Sequence, residues 1–442
     1  MNGSLRIAVF AGSFPVISET FILRQIAGLL ELGHYVRVFA NVPPGDSAPA
    51  HPEVARYDLR QRTTYVDGPP ESVLWELPVR PLTGKTWPPG AAQPVANWRR
   101  FTRALPKLAR CLVRAPGLTR VLLSTRAYGY QAASLSGIYR LATLGRLPGR
   151  FDVLHAHFGP VGNSFRFARE LWNAPLVVSF HGYDFSTQPR KEGAAMYQEL
   201  FRTADLITVN SNFTRSQVEK LGCMPDKLRK LPVGLDPVEF PFRERTLRPG
   251  ETVRLLTVAR LTEIKGHEYA LRAVARLKAA GAQVSYDVVG DGPLSKTLQE
   301  LARELRLGGT VVFHGAVAGD RIKALYAQAH LFLLTSVSVE GDQEGQGLVL
   351  QEAQACGLPV LATRHGGLPE GMLDGQSGWL VPERDVQALS ERMLFLIAHA
   401  SHWPAMGRAG RSFVEERYDI RNLNQQLTAI YAEAMVDGRA SK

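Results

Sequence analysis

Cysteine is scarce in this chain of 442 residues: Cys111, Cys223 and Cys356 are three, odd in number and scattered. That usage excludes a disulfide framework and a cysteine-built zinc site, and it points to reduced thiols in a cytoplasmic setting. No apolar run approaches 18 residues, so no membrane-spanning helix is expected. The opening MNGSLRIAVFAGSFP has neither a basic start nor a cleavable apolar core, and reads as a first strand rather than a secretion signal. No D-x-D occurs, which weakens any metal bridging a diphosphate. No G-x-x-x-x-G-K-S/T loop occurs, which argues against a nucleoside triphosphatase. VGDGPLS falls short of the G-x-G-x-x-G fingerprint and lies mid-domain, which disfavours a dinucleotide oxidoreductase. Acids are outnumbered: 41 Asp and Glu against 52 Lys and Arg leave a formal charge of +11 and a pI near 9.6. Such an excess suits an anionic ligand or surface.

What is present is a regular alternation. LRIAVFAG, HYVRVFA, FDVLHAHFG, PLVVSFHG and DLITVNS are strand-like runs separated by helical or loop segments. This predicts a mostly parallel sheet wrapped by helices. GLDPVEFPFRERTLRPG, rich in proline, glycine and charge, reads as a linker. A second series then restarts with VRLLTVAR, QVSYDVVG, TVVFHGA, AHLFLLTS and LPVLATR. The expectation is two Rossmann-like, doubly wound α/β domains, at 1–235 and 251–412, joined by 236–250. A closing helix at 413–442 would pack back toward the first domain. Ligand would bind in the cleft at the carboxyl ends of the strands.

Residues 45–145 fit this scheme poorly, because their many prolines make long uninterrupted elements unexpected. Between Trp98 and Arg126 stand eight basic residues and no acid. Leu105, Leu108, Ala109, Leu112 and Val113 share one helical face, with Lys107, Arg110 and Arg114 on the other. Either a surface helix packed on the sheet or an interfacial helix touching anionic lipid fits this pattern. Aromatics are not interleaved with the basic run, so single-stranded nucleic acid is not an expected partner.

Three segments hold the candidate site. In TVARLTEIKG, Arg260 and Lys265 flank a loop at a strand exit and could clamp a diphosphate. In VGDGP, Gly290 likewise ends a strand. In SVSVEGDQEGQGLVLQEAQACG, Glu344 and Glu352 stand eight apart across a loop-to-helix junction. Gly345 and Gly347 would let the backbone approach a ligand, and the helix starting near Leu348 would offer free N–H groups. Because helical side chains lean toward the N-terminus, Glu352 is expected to reach into the pocket that Glu344 enters. Carboxylates suit sugar and ribose diols, since each accepts two hydroxyl donors. His181 after an apolar strand is either structural or functional, and its place before Gly182 at the strand end favours function. His155 and His157 share a face of an extended chain, but with no further ligand nearby they make a poor metal site.

EGQGLVLQEAQACGLPV resembles the E-x7-E region of the family 4 glycosyltransferases, retaining enzymes of the GT-B fold. SFPVISETFILRQIAGLLELGHYVRVF, HAHFG, SFHGYD, ADLITVNSNFTRSQVEKLG, LPVGLD, ARLTEIKG and VGDGP follow in the family's order. SFPxxSETF and EGDQEG are most similar to exopolysaccharide transferases of the colanic-acid type. The resemblance implies that Arg260 and Lys265 neutralise a donor diphosphate in place of a metal. It gives Glu344 the hydroxyls of the transferred sugar, Glu352 the ribose, and the Gly345–Leu348 segment, Gln346 included, contacts to sugar or phosphate. His181 would stand beside the reacting carbon. The loop holding Ser13 and Glu19 would lie on the acceptor side, while His155 and His157 read as either structural or acceptor-side. Gln346 departs from the family, which commonly has an aromatic there. The implied reaction is metal-free and cofactor-free transfer with retention, from a nucleotide sugar (UDP favoured over GDP) to a saccharide or lipid-linked saccharide, in the cytoplasm or on the inner face of the membrane. Rival readings are a GT-B epimerase or phosphorylase, and a non-catalytic protein that binds an anionic surface.

Overall fold

The computed structural model describes residues 3–16, 19–43, 51–66, 97–147, 150–317 and 319–440. Its first half contains β1 (Arg6–Ser13), α1 (Thr20–Glu31), β2 (Tyr35–Val42), β3 (Thr63–Tyr65), α2 (Asn97–Arg114), β4 (Val153–His157), β5 (Leu176–Phe180), β6 (Leu206–Val209), α3 (Asn212–Lys220) and β7 (Leu228–Lys230). Its second half contains β8 (Val253–Val258), α4 (His267–Ala279), β9 (Val284–Val289), β10 (Val311–Gly315), α5 (Asp320–Gln328), β11 (Leu331–Leu334), α6 (Leu348–Ala355), β12 (Val360–Thr363), β13 (Gly378–Val381) and α7 (Ile420–Ala440).

The strands form two parallel sheets, ordered β3-β2-β1-β4-β5-β6-β7 and β10-β9-β8-β11-β12-β13. The strands VLHAH and LVVSF are buried along their whole length, as parallel strands covered on both faces are. On one face of the first sheet Phe10, Phe39, Phe165 and Trp172 pack together. The other face is covered by Ile22 and Ile26 of α1 and by Leu423, Leu427 and Tyr431 of α7. The C-terminal helix therefore belongs to the first lobe's core. Tyr431 anchors it there, with its hydroxyl 2.7 Å from His155 Nδ1. Strand order reverses between β1 and β4, and again between β8 and β11, so each sheet opens a crevice at those strand ends.

One expectation is corrected. The prolines of 45–145 do not preclude long elements: α2 runs 18 residues straight through Pro106. Pro106 lies on the exposed side of this helix, and its cost there is the backbone hydrogen bond that its missing N–H cannot make. The prolines between 67 and 96 lie outside the described residues. The helical face read from the sequence is also divided. Ala104, Leu108 and Cys111 turn inward, whereas Leu105, Leu112 and Val113 are exposed at 61%, 43% and 83%.

Candidate active site

The second lobe builds its half of the site on three strand exits. After β8 come exposed Arg260 and the tight turn holding Lys265, and the imidazole of His267 hydrogen-bonds Arg260 O at 3.0 Å. Gly290, after β9, sits at φ +136°, and a Cβ there would lie 1.9 Å from Ala259 O. Only glycine lets these two loops touch. The third exit, after β11, leads to Glu344, whose carboxylate forms an ion pair with Lys265.

Burial pushes the Glu344 carboxyl up, but Lys265, His365 and Arg260 outweigh it and hold it below the ordinary carboxylate range. The acid is thus ionised at neutral pH and acts only as an acceptor. Its backbone N–H donates to His365 Nε2 at 3.0 Å, and His365 Nδ1 faces Glu383 Oε1 at 2.7 Å. Arg260, Lys265 and Glu344 are therefore brought together.

Glu352 stands against other partners. Tyr326 Oη donates to Glu352 Oε2 at 2.8 Å, and the charges near it are Arg24 and Glu239. Burial raises its pKa in spite of the Tyr326 bond and Arg24. It lies one helical turn beyond Leu348, and its carboxylate turns to Tyr326 of α5. Gly347 precedes the first residue of α6, Leu348, at φ +76°. Gln346 is 5% exposed, and its side-chain amide pairs with the Val233 backbone.

The first lobe supplies imidazoles. His181 follows β5 in an extended conformation, and its N–H donates to Asp184 Oδ2 at 2.7 Å. A Cβ on the next residue, Gly182, would lie 3.7 Å from Gln343 O and Gly345 N, so this junction abuts the Glu344 loop. His157 stacks on His181 with ring centroids 6.0 Å apart. Both ring nitrogens of His157 and Nε2 of His181 are buried without a hydrogen-bond partner among the described residues. They line a cavity with Gln25, Ser179, Asn210 and Val233. Burial lowers the His181 pKa to about 4 and raises that of Asp184 to about 8. Glu19, just before α1, is raised by burial to about 7. Ser13 ends β1, half-buried. At neutral pH the two imidazoles of this wall are neutral, groups suited to hydroxyls rather than to a charged ligand.

Sequence reasoning missed His365, Glu370 and Glu383. For His365 and Glu370 the run HGGLPEG after β12 held the signal, a strand exit with glycines like the one at Gly290; Glu383, after β13, carries no such mark. Among the described residues, no group of three or more His, Cys, Asp or Glu side chains could hold a metal ion. No helix among them is long and apolar enough to cross a membrane.

Residues 239–413 match the family model described as glycosyl transferases group 1, and residues 18–234 match a glycosyl transferase 4-like domain. The chain is 32% identical over 434 residues to WcaL of Salmonella typhimurium, named as a colanic acid biosynthesis glycosyltransferase, covering 96% of this chain and 99% of the relative. It is 31% identical over 430 residues to AmsK of Erwinia amylovora, an amylovoran biosynthesis glycosyltransferase, again covering 96% and 99%. Among solved structures, Anabaena HepE in complex with UDP and glucose aligns at a TM-score of 0.67 and 17% identity, covering 97% of this chain and all of that one. The fold is thus shared with glycosyltransferases of two facing Rossmann-like domains.

Proposed function

The chain belongs to the group 1 glycosyl transferases of the GT-B fold, and from that premise we propose a retaining transferase of bacterial exopolysaccharide or cell-surface polysaccharide synthesis. Its donor is a nucleotide-diphosphate sugar, UDP-linked in preference to GDP-linked. Its acceptor is a hydroxyl of a saccharide or lipid-linked saccharide. The observation that carries this reading is the meeting of Arg260, Lys265 and Glu344 beside the His181–Gly182 junction of the opposite lobe.

Arg260 and Lys265 neutralise the departing diphosphate, the task a metal performs elsewhere, so transfer proceeds without one. Glu344, kept ionised, accepts from hydroxyls of the transferred sugar. Glu352 offers a ribose hydroxyl the oxygen that Tyr326 does not occupy. Neutral His181 lies beside the reacting carbon, and the wall of Ser13, Glu19 and His157 receives the acceptor. The leaving diphosphate itself helps deprotonate the acceptor hydroxyl on the same face, so the protein's share is positioning and charge stabilisation. The relatives named for colanic acid and amylovoran support the pathway class. HepE's UDP and glucose support the donor.

The test is Glu344→Gln, assayed by sugar transfer from a panel of nucleotide sugars. Turnover is lost in a folded protein; wild-type rates defeat the assignment.

The exposed apolar residues of α2, set among Arg103, Arg110 and Arg114, support a peripheral seat on an anionic membrane, on its cytoplasmic face.

A further inference from the structure

The loop from Glu340 to Gly347 carries Glu344, yet much of what fixes it belongs to the other lobe. Val233 N–H donates to Gln346 Oε1 at 2.8 Å, and Gln346 Nε2 donates back to Val233 O at 2.8 Å. Ser211 Oγ donates to Gly345 O at 2.7 Å, and Ser186 Oγ to Asp342 Oδ1 at 2.5 Å. Beside them, the Glu370 carboxylate accepts the N–H groups of Asn212 and Phe213, each at 2.9 Å, and pairs with Lys230 at 2.6 Å. Those two N–H groups open α3, where a helix has unpaired donors and favours negative charge.

The two sets of contacts are mechanically joined. A Cβ on Gly367 would lie 2.0 Å from Gly345 O, so the turn bearing Glu370 and the loop bearing Glu344 are in backbone contact. Gln346 also departs from the resembling family, and the aromatic common there could not make a two-point amide pair.

We propose that Gln346 and Glu370 are positioning residues through which the first lobe sets the Glu344 loop, so that the loop takes its working shape only when the lobes are together. Gln346 then holds the lobes together and leaves donor selection to its neighbours. The expected effect on turnover rests on the transferase reading; the contacts themselves do not.

The test uses ligand-free full-length Gln346→Met and Glu370→Gln, with amide hydrogen exchange and small-angle scattering. The Val233 amide exchanges about tenfold faster in the first variant, as do those of Asn212 and Phe213 in the second. The radius of gyration grows in both, while the amides of β11 keep their wild-type protection. With donor and acceptor, kcat falls about tenfold while the donor KM changes by less than about threefold. Unchanged exchange and scattering in both variants overturn the proposal. Should Gln346→Met not fold, Glu370→Gln alone decides. A wild-type protein inert toward every nucleotide sugar defeats the transferase reading but leaves the exchange result intact.

Discussion

His365 accepts the Glu344 backbone N–H on Nε2 at 3.0 Å and meets Glu383 through Nδ1 at 2.7 Å. One nitrogen must accept, so the other carries the proton toward the carboxylate, and the tautomer is fixed by its neighbours. A buried ring thereby sets the height of the acid that faces the cleft. Glu383 is itself fixed, since the Ser338 N–H donates to its Oε2 at 2.7 Å.

His365→Ala should therefore lower turnover about a hundredfold through misplacement of Glu344. Donor-induced thermal stabilisation should persist, because Arg260 and Lys265 remain. Steady-state kinetics beside a thermal shift check this; unaltered kcat in the variant rules out the support role.

Lys265→Met should cost about 3 kcal/mol at neutral pH, because it strands a largely buried carboxylate. Adding Glu344→Gln should recover part of that loss. The Glu344 pKa is lowered in the folded chain, so its contribution is present above the ordinary value of 4.5 and fades as acidity rises through the folded value. Urea unfolding of both variants at pH 7 and pH 4 measures the pair. A double variant weaker than Lys265→Met at pH 7 contradicts the account.

Acid should destabilise the chain earlier than carboxylate titration alone would. Burial lowers the pKa of His155 to about 3, of His181 and His267 to about 4, and of His157 well below 6.5. Unfolding frees these imidazoles to charge, so the unfolded state binds more protons and stability falls as pH drops from about 6.5 toward 4. Asp184 and Glu19, raised by burial to about 8 and about 7, act in the opposite sense, because the folded state holds their protons. Four imidazoles outweigh two carboxyls. The urea midpoint should fall between pH 7 and pH 5, and more steeply in Asp184→Asn. Equal midpoints at the two pH values count against it.

Tyr431→Phe should destabilise the first lobe by about 1–3 kcal/mol, since it leaves a buried nitrogen of His155 without its partner. Truncation before α7 should be far worse, because Leu423, Leu427 and Tyr431 fill that core. Denaturant titration of the full chain distinguishes these; a neutral Tyr431→Phe means that the hydroxyl contributes nothing.

Anionic vesicles should retain the protein at low salt and release it as salt rises. Val113→Asp with Leu112→Asp should weaken retention, since both side chains are exposed on α2. Equal elution from neutral and anionic vesicles removes the membrane contact.

The sequence by itself determined the elements and the order of the chemistry. Runs such as VLHAH and LVVSF have the length and pattern of strands buried on both faces, and strand-exit glycines and charges marked Arg260, Lys265, Gly290 and Glu344 without any partner in view. Local chemistry suffices there, because a strand's burial and a turn's backbone are written in adjacent residues. Only the tertiary structure decided which groups meet. Glu344 finds Lys265, 79 residues away, and His365, 21 residues away, whereas Glu352 turns to Tyr326 although α6 begins only four residues before it. Gln346 and Glu370 show the same limit, because their partners Val233, Asn212 and Phe213 belong to the opposite lobe. Such contacts depend on how two sheets close on each other, and no period or spacing within either half encodes that angle.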